Sequence, residues 1–109
     1  MLVYDGNEAK IVDKNGKLIK SFGEDYVYKR EYGYVARYNF DDNTMSLYSS
    51  KGVKVASGYA DVSPVSKNRM VVSKLENYYY KYGIINAEGQ LKVPAKFSSI
   101  NYISDSRIV

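Results

Sequence analysis

The sequence predicts an all-β fold made of about three tandem repeats of roughly 36–37 residues, each built from short antiparallel strands and hairpins. Gly16, Gly52 and Gly89 lie 36 and 37 residues apart, and each follows a hydrophobic pair and a short polar stretch. Apolar residues nowhere recur at helical spacing for more than one or two turns. These observations exclude a helical bundle and indicate a repeated β unit.

The second and third copies match most closely, at a constant offset of 38 residues. The matched pairs are Val55 and Val93, Tyr59 and Phe97, Val62 and Ile100, Val65 and Ile103, Arg69 and Arg107, Met70 and Ile108, and Val71 and Val109. Met1-Leu2-Val3 resembles Met70-Val71-Val72, so the chain opens with a segment that recurs later. We therefore expect one domain over residues 1–109, with units of approximately 1–33, 34–69 and 70–109. It forms either a self-contained block or part of a longer array.

Each copy is predicted to contain a β-hairpin at its glycine. Asn15-Gly16 predicts a two-residue type I′ turn, because both residues tolerate positive φ. Lys51-Gly52 and Glu88-Gly89 occupy the same place and are expected to turn similarly. After the hairpins, aromatic and aliphatic residues stand three apart, which predicts a single helical turn or a bent strand: Tyr59, Val62 and Val65, then Phe97, Ile100 and Ile103.

Two longer segments have the composition of strands. Tyrosine occupies most even positions from Tyr26 to Tyr38, which predicts one strand with an aromatic face, and Gly33 within it predicts a bulge or a turn. A second strand is predicted from Asn77 to Ile85. Tyrosine and β-branched residues, which strands favour, dominate both segments.

The third copy resembles the bacterial WG-repeat family, also called the KWG-repeat family. Residues 82–97 run from an aromatic-glycine pair through two aliphatic residues, a glycine turn, a β-rich run, a proline and a basic residue to an aromatic. Lys81-Tyr82-Gly83 stands where the family has Lys-Trp-Gly, and Arg107-Ile108-Val109 matches its closing strand. Ala9-Lys10 and Met45-Ser46 fill the aromatic-glycine place in the other copies. The resemblance implies a β-repeat scaffold with no catalytic residues.

The composition excludes several classes of chemistry. The chain has no Cys, no His and no Trp, so it forms no disulfide, no Cys/His zinc site and no histidine base. Glycine-rich phosphate-binding motifs are absent as well. The adjacent carboxylates Glu24-Asp25 and Asp41-Asp42 are expected to form polar turns between strands. We therefore predict no enzyme activity, no catalytic residue, no metal site and no cofactor.

Tyrosine supplies the recognition chemistry that this sequence offers, with 13 Tyr in 109 residues. The predicted binding residues are Tyr78, Tyr79, Tyr80, Lys81, Tyr82, Tyr32 and Arg30. Two interpretations stand open. The rings could fill the core, since only 3 Phe are present, or they could form a surface that a partner covers.

We expect a non-catalytic scaffold that binds a protein or a peptide, with self-association through edge strands as a further route. The alternative is a carbohydrate-binding module at a bacterial cell surface. Single-stranded nucleic acid ranks lower, because the net charge of +4 is spread along the chain. No apolar run is long enough to span a membrane. The sequence leaves localisation open between a soluble bacterial cytoplasmic protein and, within a secreted parent, the cell surface.

Overall fold

The chain folds into strands joined by short turns, as a computed structural model shows for residues 1–99 and for the strand backbones at 102–104 and 107–108. This part of the chain contains thirteen strands: β1 Leu2–Asp5, β2 Glu8–Val12, β3 Leu18–Gly23, β4 Tyr26–Lys29, β5 Val35–Asn39, β6 Thr44–Tyr48, β7 Lys54–Tyr59, β8 Asp61–Ser66, β9 Arg69–Glu76, β10 Tyr79–Asn86, β11 Leu91–Phe97, β12 Tyr102–Ser104 and β13 Arg107–Ile108. The predicted all-β fold is confirmed. Ile100 and Val109, used in the repeat alignment, lie outside the described residues.

Consecutive strands pair antiparallel to form separate meanders. The first sheet contains β1–β3, the second β4–β7 and the third β8–β11, while β12 and β13 pair with each other. The second and third sheets begin one strand ahead of the predicted unit boundaries, because β4 and β8 pair with the strands that follow them. The number of units and their boundaries stay predictions.

The second sheet is buried on both faces. Successive side chains of a strand point to opposite faces, so the neighbours Val35 and Ala36 enter different cores. Val35 belongs to one core cluster with Ile11 of the first sheet, and Ala36 belongs to another with Val72 of the third. All four side chains are almost fully buried. The second sheet therefore joins the two halves of the hydrophobic interior.

The single strand predicted from Tyr26 to Tyr38 is wrong, because a turn divides this segment into two strands. The chain leaves β4 at Lys29, makes a 3₁₀ turn at Glu31–Gly33 and returns as β5. Tyr32 and Gly33 take φ values of 60° and 81°, which reverse the chain direction. Gly33 thus marks a turn, one of its two predicted roles. Tyr26 and Tyr38 do share one face, as cross-strand partners in two strands.

The strand predicted from Asn77 to Ile85 begins two residues later. Asn77 and Tyr78 take φ values of 51° and 70° between the paired residues Glu76 and Tyr79. Two consecutive positive φ values in a two-residue hairpin loop are typical of a type I′ turn. The segment with Tyr59, Val62 and Val65 forms the end of β7 and most of β8, so it contains no helical turn, and the chain passes from the second sheet to the third at Ala60.

The type I′ turn predicted at Asn15-Gly16 is wrong, although the hairpin is present. Only Gly16 has positive φ, at 82°, and its N–H donates to the carbonyl of Asp13 at 3.0 Å. The carboxylate of Asp13 accepts from the amides of Asn15 and Lys17 at 2.9 Å each. These bonds favour a three-residue loop that ends in a left-handed glycine.

The same loop recurs at the other two glycines, as expected. Gly52 has φ of 78° and donates to Ser49, while Gly89 has φ of 80° and donates to Asn86. The Ser49 hydroxyl and the Asn86 amide oxygen accept two backbone N–H groups each, as Asp13 does.

Two of these turns pack on the preceding sheet. A Cβ added at Gly52 would lie 3.1 Å from Cβ of Lys20 on β3, and one at Gly89 would collide with the carbonyl of Val55 on β7. No described atom lies within 4 Å of the corresponding position at Gly16. Gly52 and Gly89 therefore serve both the turn and the packing between sheets, whereas Gly16 serves the turn.

Candidate functional site

One end of the three sheets carries a concentration of exposed aromatic side chains. The β1–β2, β5–β6 and β9–β10 hairpins all turn at this end. Seven large apolar residues are 52–96% exposed here, and we call them the hairpin-tip surface: Tyr4, Tyr26, Phe40, Leu75, Tyr78, Tyr79 and Tyr80. A grouped apolar surface of this kind indicates an interaction site.

The structure places Tyr78, Tyr79 and Tyr80 on this surface, so the core-packing hypothesis is wrong for them. Tyr78 occupies the hairpin turn and is 96% exposed. The hairpin projects past the core, which Ile84 and Ile85 enter further along β10. Strand alternation alone does not show where a neighbouring sheet ends, so the sequence did not distinguish these exposed rings from rings in the core.

Lys81 and Tyr82 are only half-buried and point to different faces of β10. Tyr80 and Tyr82 share a face and line a shallow cavity of about 240 Å³ with Asp61 and Ser73. Lys81 is directly opposite Lys74 on β9. The predicted segment therefore divides between the two faces of β10, as the alternation of an extended chain requires.

An aromatic cluster on the second sheet was not predicted as a site. The ring centroid of Phe40 lies 4.8 Å from that of Tyr38 and 5.9 Å from that of Tyr26. The hydroxyl of Tyr38 donates to Oδ1 of Asn43 at 3.1 Å. Phe40 belongs to the β5–β6 loop, so its approach to the tyrosines depends on a chain reversal that strand alternation does not reveal.

A cavity of about 510 Å³ adjoins this cluster at the start of β4 and the end of β5, and we call it the tip cavity. Its aromatic, acidic and basic lining residues include Tyr4, Tyr26, Tyr38, Phe40, Glu24, Asp25, Asp41 and Arg37. The adjacent carboxylates expected to form polar turns do lie between strands, and three of them also line this cavity.

The charges in the tip cavity are unequal. Arg37 Nε lies 2.8 Å from Oδ2 of Asp25, which forms an ion pair. Within residues 1–99, no lysine or arginine forms an ion pair with Glu24 or Asp41. The cavity therefore presents two carboxylates without an internal counter-charge.

Arg30 and Tyr32 lie at the opposite end of the sheets, where β4 turns into β5. Arg30 donates from Nη2 to the hydroxyl of Ser63 at 2.9 Å, and its Nε lies 3.5 Å from Glu31. Tyr32 is 55% exposed. The structure therefore does not bring these two predicted residues together with Tyr78–Tyr82.

Two tyrosines have perturbed acidity. Burial raises the pKa of Tyr28, and the negative charge of Asp61 adds to this while Arg30 opposes it. Burial also raises the pKa of Tyr34, with a smaller contribution from Glu88. Both hydroxyls therefore keep their protons at neutral pH. Tyr34 donates to the carbonyl of Lys67 at 2.7 Å, so its role is to link the second and third sheets.

Among the residues that the structure describes, no three acidic side chains are grouped in a way that could hold a metal ion. No helix in the same part of the chain is long and apolar enough to cross a membrane. No protein-family model, curated protein or solved structure matches this chain. What the protein binds must be inferred from its own surface.

Proposed function

We propose that this protein is a non-catalytic β-repeat module that binds a peptide or protein partner through the hairpin-tip surface. The observation that carries the proposal is the joint exposure of Phe40, Tyr78, Tyr79 and Tyr80 on two neighbouring hairpins. Asn43 on one hairpin and Tyr80 on the other line a common cavity, so the two tips are adjacent. Tyrosine provides large contact area at low entropy cost, which suits protein recognition.

The resemblance to the WG-repeat family supports the scaffold part of this proposal. Gly83, the glycine of the aromatic-glycine pair, has a physical role in the third sheet. A Cβ there would lie 2.5 Å from the carbonyl oxygen of Val93 and 2.8 Å from the amide nitrogen of Ala95. Glycine alone lets β11 approach β10 at this irregular register.

Peptide selection tests the proposed function. A random peptide library displayed on phage is selected against the whole chain, and the affinity of a recovered peptide is measured by fluorescence anisotropy. Truncating interface tyrosines that are hot spots costs about 2 kcal/mol or more, so Tyr79→Ser/Tyr80→Ser should weaken binding roughly thirtyfold or more. Circular dichroism checks that the variant is folded.

Tyr32→Ser is the matched control, because it removes an exposed tyrosine at the opposite end of the sheets. We expect this variant to bind the selected peptide as the parent chain does. Equal losses in both variants would place binding elsewhere, and a selection that yields no specific peptide would also contradict the proposal.

Carbohydrate binding is the second candidate, because Tyr80 and Tyr82 lie beside Asp61 and Ser73 in one shallow cavity. Tyrosine rings next to hydrogen-bonding groups suit a sugar ring. Titration with soluble glucan oligosaccharides, followed by NMR, separates this function from peptide binding. Nucleic acid ranks below both, because the carboxylates of Glu24 and Asp41 on this surface would repel phosphates.

A further inference from the structure

We propose that the tip cavity binds the cationic side chain of a lysine or arginine carried by the partner, an inference that rests on the proposed function. The cavity is defined by the start of β4 and the end of β5, and it adjoins the hairpin-tip surface. A partner peptide bound across the exposed rings would therefore have a charged pocket within reach.

Charge is the first reason for this choice. The chain as a whole carries a net charge of +4, yet three carboxylates and one guanidinium in the cavity sum to −2. Arg37 is already paired with Asp25. The carboxylates of Glu24 and Asp41, both exposed, have no cationic partner among residues 1–99. The cavity is thus locally acidic on a basic protein and complements a positive group.

The aromatic lining is the second reason. A cation near the face of a tyrosine or phenylalanine is attracted by the ring quadrupole. The chain uses this interaction elsewhere, since Nζ of Lys20 lies 5.5 Å from the ring of Phe22 and 5.4 Å from that of Tyr48. In the tip cavity, Tyr26 and Phe40 are exposed and available to a ligand.

The lining is held in place before any ligand binds. Tyr4 donates its hydroxyl hydrogen bond to the carbonyl of Val27, which ties the first sheet to β4. Tyr38 is held by Asn43, and its ring contacts that of Phe40. The Arg37–Asp25 ion pair connects β5 to the segment before β4. A preformed lining loses little conformational freedom on binding.

NMR titration of the ¹⁵N-labelled chain tests the inference directly. The probe is N-acetyl-lysine methylamide, and N-acetyl-norleucine methylamide is the uncharged control with the same carbon chain. We expect the lysine probe to shift the amides of residues 24–27 and 37–41 with roughly millimolar affinity, as suits one weak ion-pair site. Norleucine should bind at least about tenfold more weakly, and added salt should weaken the lysine probe.

The variant Glu24→Gln/Asp41→Asn should weaken lysine binding about fivefold to tenfold, because it removes both unpaired charges at nearly constant shape. The matched control is Glu31→Gln/Glu88→Gln, which makes the same charge change at the opposite end of the sheets. It should leave binding unchanged, and the NMR spectra report whether each variant is folded.

Each of the following results would overturn the inference. Equal shifts from the lysine and norleucine probes would show that the cavity selects the apolar carbon chain and not the charge. Equal weakening in both double variants would show that the lysine probe is attracted by the overall charge of the protein and not by Glu24 and Asp41. Shifts at the same amides from a neutral glycoside, with none from lysine, would assign the cavity to sugars.

The two proposals can fail separately. If the lysine probe does not bind while binding of the selected peptide still requires Tyr79 and Tyr80, this inference alone fails. If peptide selection fails too, the proposed function falls with it.

Discussion

Tyr34 shows what a buried tyrosine does in this chain. Its hydroxyl donates to Lys67 across the junction of two sheets, and its ring lies in the core with Met70 and Val72. Tyr28 is half-buried on the same face of the second sheet, and its hydroxyl lies 3.5 Å from the sulfur of Met45. Both side chains are stabilised in their neutral form, because burial raises their pKa values.

Alkaline unfolding should report on these two residues. An unfolded tyrosine ionises near pH 10, so above that pH the unfolded chain holds fewer protons than the folded one, and stability falls as pH rises. The contribution of Tyr28 and Tyr34 to the free energy of unfolding is fully present below about pH 10. It is lost as the pH rises through their pKa values in the folded chain. Tyr28→Phe/Tyr34→Phe should reduce the slope, by at most about 1.4 kcal/mol per pH unit for Tyr34 and less for the solvent-screened Tyr28.

Urea unfolding at a series of pH values between 8 and about 11 measures this slope. Tyr79→Phe is the control, because it removes an exposed hydroxyl outside the core. A double variant with the slope of the parent chain would contradict the assignment.

The single variant Tyr34→Phe has a separate expected effect at pH 8. Its free energy of unfolding should be lower by about 1 kcal/mol, the usual contribution of one buried hydrogen bond.

At the scale of single residues, the sequence predicted tyrosine as the recognition chemistry but not which tyrosines are accessible. Tyr34 and Tyr48 are buried, whereas Tyr78 and Tyr79 are exposed, although all four have strand-like surroundings in the sequence. Accessibility depends on where another sheet covers the strand. Local alternation does not contain that information.

The glycine turns are the element that the sequence predicted best. The three positions share one backbone geometry, with φ between 78° and 82°. The loop type was wrong because the side chain three residues before each glycine determines it: Asp13, Ser49 or Asn86. Asp, Ser and Asn are residues that cap their own turn, so this feature could have been found in the sequence.

Alanine substitutions at the three glycines form a graded series. At Gly16 only the left-handed backbone conformation disfavours alanine, because no described atom is close. Gly16→Ala should therefore lower the free energy of unfolding by about 1 kcal/mol. Gly52→Ala also presses on Cβ of Lys20 at 3.1 Å and on Cγ2 of Ile19 at 3.2 Å, and both must move by a few tenths of an ångström, so we expect a somewhat larger loss. Gly89→Ala collides with the Val55 backbone, which cannot shift cheaply, and should cost about 3 kcal/mol or more. Urea unfolding measures all three, and equal losses would show that the turns do not pack between sheets.

The edge strand β11 bears on the proposed self-association. It contains Pro94, which has no N–H to donate, and the charged residues Lys92 and Lys96. Proline and lysine on an edge disfavour strand addition. Self-association through edge strands therefore stays a prediction, and the proline and lysines of β11 disfavour it at this edge.

At the scale of the whole molecule, the second sheet makes the two cores interdependent. Ile11 lies in the core between the first and second sheets, and Ile85 lies in the core between the second and third. Both side chains are fully buried. Unfolding either core would uncover one face of the shared middle sheet, so we expect the described sheets to unfold together.

Ile11→Ala and Ile85→Ala test this coupling. Each should lower the free energy of unfolding by about 2–5 kcal/mol, since each leaves a cavity in a packed core. Each should still give one transition, coincident by circular dichroism and tyrosine fluorescence. Val53→Ala, at a position that is 62% exposed, is the control and should change stability by less than about 0.5 kcal/mol. Two separated transitions in either core variant would show that the sheets unfold independently.

The all-β class was predictable from the sequence because strand composition and turn-forming glycines are local properties. The grouping of strands into sheets was not, since β4 and β8 start new sheets by pairing forward along the chain. The tip cavity was also missed. It combines Glu24 and Asp25 from one connection with Asp41 from another, and the two connections become adjacent only after the sheets form.

Tyr78 carries a consequence for attempts to make this protein more robust. It adopts φ of 70°, a conformation that glycine reaches without steric penalty and that tyrosine reaches only at some cost. A stability-guided redesign would therefore choose glycine at this position, as type I′ turns commonly do. The same change would remove the most exposed of the large apolar side chains among residues 1–99, so a more stable turn would come at the expense of the surface that the turn presents to a partner.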